Sequence, residues 1–240
     1  MSTMIKNVLF DLDGTLLPMD MDEFTNGYFK FLVKKAMSHS DMYKPDELVK
    51  VIWGGVKAMV MNAGKGPNED AFWEYFASVY GQDALKDREL FNEFYAKDFV
   101  CAKEFTGFNP EAKVTVDACK EAGYKVVLAT NPIFPETATR QRTNWAGLDV
   151  EDFETFTTYE NSTYCKPNPK YYLELLKKLD MDPAECLMVG NDVSEDMDAG
   201  LMAGMQVFLI TDCMINKENK DIDAYPHGSF RELREYLGIK

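Results

Sequence analysis

Val8-Leu9-Phe10-Asp11-Leu12-Asp13-Gly14-Thr15 is the stretch on which the reading of this chain turns. An apolar run ends in two carboxylates, a glycine and a hydroxyl residue. Val8 to Phe10 read as a buried strand. Asp11 and Asp13 stand two residues apart, so in extended backbone both side chains point to one side. Gly14 permits a sharp turn out of the strand. Two carboxylates repel by about 4 kcal/mol at ~4 Å and a surface-like dielectric. A fold keeps such a pair when a cation joins it or when one acid holds a proton. Oxygen-only ligands suit a hard ion such as Mg²⁺. A lone Asp-x-Asp is more often a solvated strand end; here further pieces recur at later strand tips.

Outward from that stretch, the chain changes texture twice. From residue 18 to about 106, apolar positions recur at helical spacing. They do so over Asp22 to Lys35, Pro45 to Met61, a segment opened by Asn68 as N-cap, and Arg88 to Asp98, with no strand between them. After Gly107, helices and strands alternate. Helices are expected over Glu111 to Glu121, Glu136 to Ala146, Tyr171 to Leu179, Ser194 to Ala203 and Phe230 to Leu237. Strands are expected over Lys125 to Ala129, Glu154 to Thr158, Cys186 to Val189 and Gln206 to Ile210. Such alternation predicts an α/β, Rossmann-like parallel sheet with helices on both faces. The expected organisation is a core of residues 1–17 and 107–240, with 18–106 inserted as an all-helical domain.

Composition bounds the function. The 240-residue chain is 46% apolar, enough for a full core, and carries a net charge of −14. That charge argues against nucleic acid as a partner. No apolar run approaches the ~20 residues that cross a bilayer, and no secretory signal is visible. Cys101, Cys119, Cys165, Cys186 and Cys213 form no CxxC pair, which points to free thiols in the cytoplasm. Any phosphorylated ligand would need a locally positive site within this acidic protein.

Ligands of open parallel sheets bind beyond the carboxyl ends of the strands. Those ends read Asp11-Leu-Asp13, Thr130-Asn131 and Gly190-Asn191-Asp192, and Lys166-Pro167-Asn168-Pro169 leads into a helix. The set, with Asp196, resembles the four ordered motifs of the haloacid dehalogenase superfamily. The helical insertion resembles the C1-type α-helical cap of its phosphatase branch. The resemblance implies an HAD-like core and a Mg²⁺-dependent phosphatase. It makes Asp11 the nucleophile that forms an aspartyl-phosphate and Asp13 the general acid and base. Thr130, the backbone N–H of Asn131, and Lys166 would hold the phosphoryl group. Asp11 and Asp13, the latter through its backbone carbonyl, would hold the metal. Asp13 favours phosphate ester chemistry over dehalogenation.

The fourth motif departs from the family's usual Gly-Asp. Asp192 is the favoured metal ligand, with Asp196 beside or behind it; Asn191, through its amide oxygen, is the alternative. The substrate expected is a small phosphorylated metabolite, and the expected state is a monomer. A phosphomutase of the β-phosphoglucomutase type and a non-catalytic binding protein are the competing readings. Met19 to Glu23 and Asn62 to Gly66 are candidate substrate loops. Lys65 is expected as an exposed turn residue, Arg140 and Arg142 as surface charges, and Cys165 as a small neighbour of Lys166.

Overall fold

The computed structural model describes residues 4–239. Strands β1 (Asn7–Phe10), β2 (Lys125–Leu128), β3 (Cys186–Gly190), β4 (Gln206–Ile210) and β5 (His227–Gly228) form one parallel sheet. Its order is β2-β1-β3-β4-β5. The register pairs Phe10 with Leu128 on one side and with Val189 on the other. The tips of β1, β2 and β3 therefore end side by side.

Side chains alternate across the sheet as the strand period requires. Val8, Phe10, Val126, Leu128, Leu187 and Val189 face one apolar cluster, while Leu9, Val127, Ala129 and Met188 face the other. Helices α5 (Pro110–Glu121), α6 (Glu136–Trp145) and α9 (Phe230–Leu237) contribute to the first cluster; α7 (Lys170–Lys178) and α8 (Ala199–Met202) contribute to the second.

Helices α1 (Met21–His39), α2 (Pro45–Val60), α3 (Asn68–Tyr80) and α4 (Arg88–Glu93) lie between β1 and β2 in the chain. A π-turn over Phe94–Asp98 and a 3₁₀ segment over Phe99–Phe105 lead back to the sheet. The two crossings are tied together, Gly107 N–H donating to the Pro18 carbonyl at 2.7 Å. The helical segment packs on the sheet side through an aromatic seam. Phe24, Tyr28, Tyr95 and Phe99 meet Phe134 with ring centroids 5.9–6.4 Å apart, and Phe99 stacks on Trp145 at 5.4 Å.

Four local expectations differ. Asn68 is the first residue of α3 and no cap. It is fully buried, and its amide donates to the Pro132 carbonyl at 3.2 Å and to Cys165 Sγ at 3.2 Å. Glu154 to Thr158 makes only an isolated bridge, Phe156 to Leu128, along the edge of β2. The helix expected from Ser194 opens as a π-turn, Val193–Asp198, before α8. Strand β5 has two residues, too few for a period-2 pattern to register.

Candidate active site

The tip of β1 delivers Asp11, which is 6% exposed, next to Lys166, which is 1% exposed. Lys166 Nζ lies 2.8 Å from Asp11 Oδ1 and 2.6 Å from Asp196 Oδ1. Burial alone would lower the lysine pKa. The two carboxylates outweigh it and hold the ammonium well above its ordinary range. Burial, moderated by Lys166 and reinforced by Asp196 and Asp13, pushes Asp11 up to about 8. Two buried acids thus share one buried cation, which leaves the centre one positive charge short.

The turn after β1 fixes the other side of Asp11. Gly14 has φ +83°, a conformation open to glycine, and a Cβ there would meet Asn191 Nδ2 at 2.2 Å. The Thr15 hydroxyl lies 3.2 Å from Asp11 Oδ2 and 3.0 Å from Asn191 Oδ1. Asn191 is anchored in turn by donating to the Cys213 carbonyl at 2.7 Å. Asp192 turns the other way. Its Oδ1 accepts from the Ser194 and Glu195 N–H groups at 2.8 and 2.9 Å and caps the π-turn. Asp196 Oδ2 accepts from the Asp192 N–H at 3.1 Å.

Gly190 makes that return possible, since a Cβ on it would lie 2.1 Å from Asp196 Oδ2. Gly190→Ala is therefore expected to push Asp196 off Lys166 and to cost about 1–3 kcal/mol in overpacking. A thermal melt that drops by several degrees checks this; an unchanged melt would refute it.

At the tip of β2 the Thr130 carbonyl accepts from Thr157 Oγ1 at 2.6 Å and from the Tyr171 hydroxyl at 3.0 Å. The Thr130 hydroxyl itself is buried with no partner, as are Asp13 Oδ1 and Asn131 Oδ1. Buried polar atoms without partners are uncommon, and here three stand on neighbouring strand tips. Asn131 Nδ2 donates to Glu195 Oε2 at 2.9 Å. Burial pushes Glu195 up to about 7, with Lys166 pulling it down.

The structure thus joins Asp11, Lys166 and Asp196 directly, and Asn191 through Thr15. Thr130 and Asn131 stand on the adjacent tip, while the Asp192 side chain is turned into its own helix cap. Lys65 is exposed, in a loop closed by Asn62 Nδ2 on the Gly66 carbonyl. Arg140 is a surface charge, paired with Glu136 and Glu151. Arg142 is not the surface charge its sequence suggested. It is fully buried and forms a salt bridge with Asp13, because α6 turns Ala138, Arg142 and Trp145 inward together. Arg142 and Glu195 were missed by motif reading, and Thr15, though inside the opening motif, was given no role in the site. The inward stripe Ala138–Arg142–Trp145 was the available signal for the arginine.

An open cavity of about 820 Å³ borders the crossing between the helical segment and the sheet. It is lined by Pro18 to Glu23, Glu104 to Gly107 and Thr211 to Ile215, with Lys217. Asp11, Thr130 and Lys166 are buried and not in its wall, while Asp13 is part-buried with its side chain 13% exposed.

A parallel sheet whose tips gather carboxylates around a buried lysine, with helices inserted after the first strand, defines an α/β enzyme with a carboxylate–lysine centre. The chain belongs to the haloacid dehalogenase-like hydrolases, whose family model matches residues 5–204. It is 26% identical over 204 residues to a phosphoglycolate phosphatase of Aquifex aeolicus, covering 84% of this chain and 83% of that protein. It is 30% identical over 218 residues to an N-acetylmuramic acid 6-phosphate phosphatase of Pseudomonas putida, covering 90% and 86%. The fold is similar to a crystal structure of an HAD phosphatase from Thermococcus onnurineus, with a TM-score of 0.60 and 22% identity over 98% of both chains. Among the described residues no helix is long and apolar enough to cross a membrane.

Proposed function

We propose that this hydrolase cleaves a small phosphate monoester through a phosphoryl-aspartate on Asp11. That it is a phosphoric monoester hydrolase follows from the family match and the phosphatase names of its relatives. The buried Asp11–Lys166–Asp196 trio is the observation that supports the covalent route.

Asp11 attacks phosphorus, the P–O ester bond breaks, and Asp13 gives its proton to the departing oxygen. Water then attacks the phosphoryl-aspartate, Asp13 takes the water's proton, and inorganic phosphate leaves with Asp11 restored. Lys166 offsets charge on the transferring group, and the unpartnered Thr130 hydroxyl is free to donate to a phosphoryl oxygen. Residues 18–106 act as a cap that excludes water during the transfer, over a core of residues 1–17 and 107–240.

The donors present fit a hard cation. Asp11 Oδ2 and Asn191 Oδ1 are both oxygens, and both converge on the Thr15 hydroxyl. The amide oxygen of Asn191 would stand beside Asp11 Oδ2 as a second hard oxygen donor. Asp11, Asn191 and the Asp13 carbonyl would hold Mg²⁺, with Asp192 and Asp196 behind them. The ion would screen the phosphoryl oxygens from the acids that surround them. The five free cysteines support a reducing, cytoplasmic compartment, and a cap carried on the same chain needs no partner to cover the site, which supports a monomer acting on a small metabolite.

Hydrolysis of p-nitrophenyl phosphate tests the reading. Release is expected to fall by at least about 100-fold in excess chelator and to return when Mg²⁺ is restored. An equal rate with and without the chelator would remove the metal from the account.

A further inference from the structure

Arg142 has a task that its position on a core helix conceals. Its side chain is fully buried, stacked with its guanidinium carbon 4.1 Å from the Phe134 ring centroid. Its Nε lies 3.4 Å from the Ala138 carbonyl and Nη2 3.3 Å from Thr139 Oγ1. Nη1 is bonded to Asp13 Oδ2. Among the described residues, Asp13 is the only carboxylate in a salt bridge with this arginine.

A structural arginine in a core normally keeps a dedicated anion, because a buried charge stripped of its partner is strongly destabilising. Here the partner is the group that must also reach the leaving oxygen. Asp13 Oδ1 has no partner and is the oxygen free to turn to the substrate; that turn draws Oδ2 off Nη1 while the guanidinium stays out of water. The substrate is the one component that arrives as Asp13 departs.

We infer that Arg142 is a specificity residue, and that the preferred substrate carries a second negative group close to its phosphate ester. That group, a carboxylate or a further phosphate, would take the place on Nη1 that Asp13 vacates. The inference rests on the phosphatase reading and names its substrate class. The surroundings limit size. Phe134 lies under the guanidinium, and Tyr28 and Tyr95 of the helical segment meet that ring with centroids 5.9 and 6.4 Å away. Nη1 of a permanently charged guanidinium is a directed donor to a carboxylate or phosphate oxygen.

The test uses the full chain with Mg²⁺ and four substrates: p-nitrophenyl phosphate, ethyl phosphate, 2-phosphoglycolate and pyrophosphate. The wild type is expected to favour at least one of the two doubly anionic substrates over ethyl phosphate by tenfold or more in kcat/KM. Which of the two is favoured separates a carboxylate from a phosphate as the second group. Arg142→Gln is expected to cut that ratio by roughly tenfold to a hundredfold, mainly through KM. Arg142→Lys should keep part of it. A wild type without the preference, or Arg142→Gln lowering all substrates in proportion, would overturn the inference.

The same preference is readable without turnover, as ligand-induced thermal stabilisation of the Asp11→Asn protein with and without Arg142→Gln. Stabilisation by 2-phosphoglycolate or pyrophosphate beyond that by ethyl phosphate, lost with Arg142→Gln, supports the inference. Its absence counts against it, whether or not the variant is well folded, since the Asp11→Asn protein alone must show it. Failure to hydrolyse p-nitrophenyl phosphate would instead count against the phosphatase reading.

Discussion

Asp11→Asn should abolish phosphate release, by at least about four orders of magnitude, while leaving a folded protein. An amide oxygen is too poor a nucleophile to form the acyl phosphate, and Asp196, the other acid on Lys166, is held back by the Asp192 N–H. Stability should move the other way. Asp11 is an acid forced into a buried centre that already holds Asp196 and only one lysine. Its pKa is raised from 3.8 to about 8, so folding favours its protonated form. The stability linked to that proton is complete below the unfolded value. It is lost as pH rises towards about 8 and changes little above. In chelator, the Asp11→Asn protein is therefore expected to melt about 2–8 °C above wild type near pH 8. The difference should narrow towards pH 4. Calorimetry across that range reads it, and a variant less stable than wild type at pH 8 would contradict the charge balance described.

Lys166→Met should be the most damaging change to the fold within the site. It leaves Asp11 and Asp196 facing each other in the interior with no cation, and breaking a buried pair in this way costs about 3–5 kcal/mol. Phosphate release should fall by at least about 100-fold, because the transferring group loses its one buried ammonium. The diagnostic is the double variant. Adding Asp11→Asn to Lys166→Met removes one of the stranded acids and should recover more than half of the lost stability. If the two substitutions merely add, the lysine is not the counter-ion of Asp11 in solution.

Much of this arrangement was legible before any coordinates. The strand tips carrying Asp11, Thr130 and Asn191, and the loop carrying Lys166, follow short apolar runs or a proline-started helix, and these are strong local signals. The parallel order follows from the alternation after Gly107. What stayed hidden depended on helix phase and on backbone shape. Arg142 sits in Thr139-Arg-Gln-Arg-Thr143, a polar run in which Thr139 and Thr143 are as buried as the arginine, so polarity masked the inward face. Glu195 reads as one more acid in a first turn, and its partner Asn131 comes from another strand. The π-turn over Val193–Asp198 has no period of its own in the sequence. Yet it decides that Asp196 swings to Lys166 while Asp192 caps the turn.

The seam of rings between the helical segment and α6 carries a thermal consequence. Any swing that uncovers Asp11 must draw Phe24, Tyr28 and Phe99 away from Phe134 and Trp145 and wet their faces. Wetting apolar surface raises the heat capacity, so the uncovering equilibrium cannot follow a straight van't Hoff line. Apolar contact weakens on cooling, so this seam should part more readily in the cold than a seam of ion pairs would.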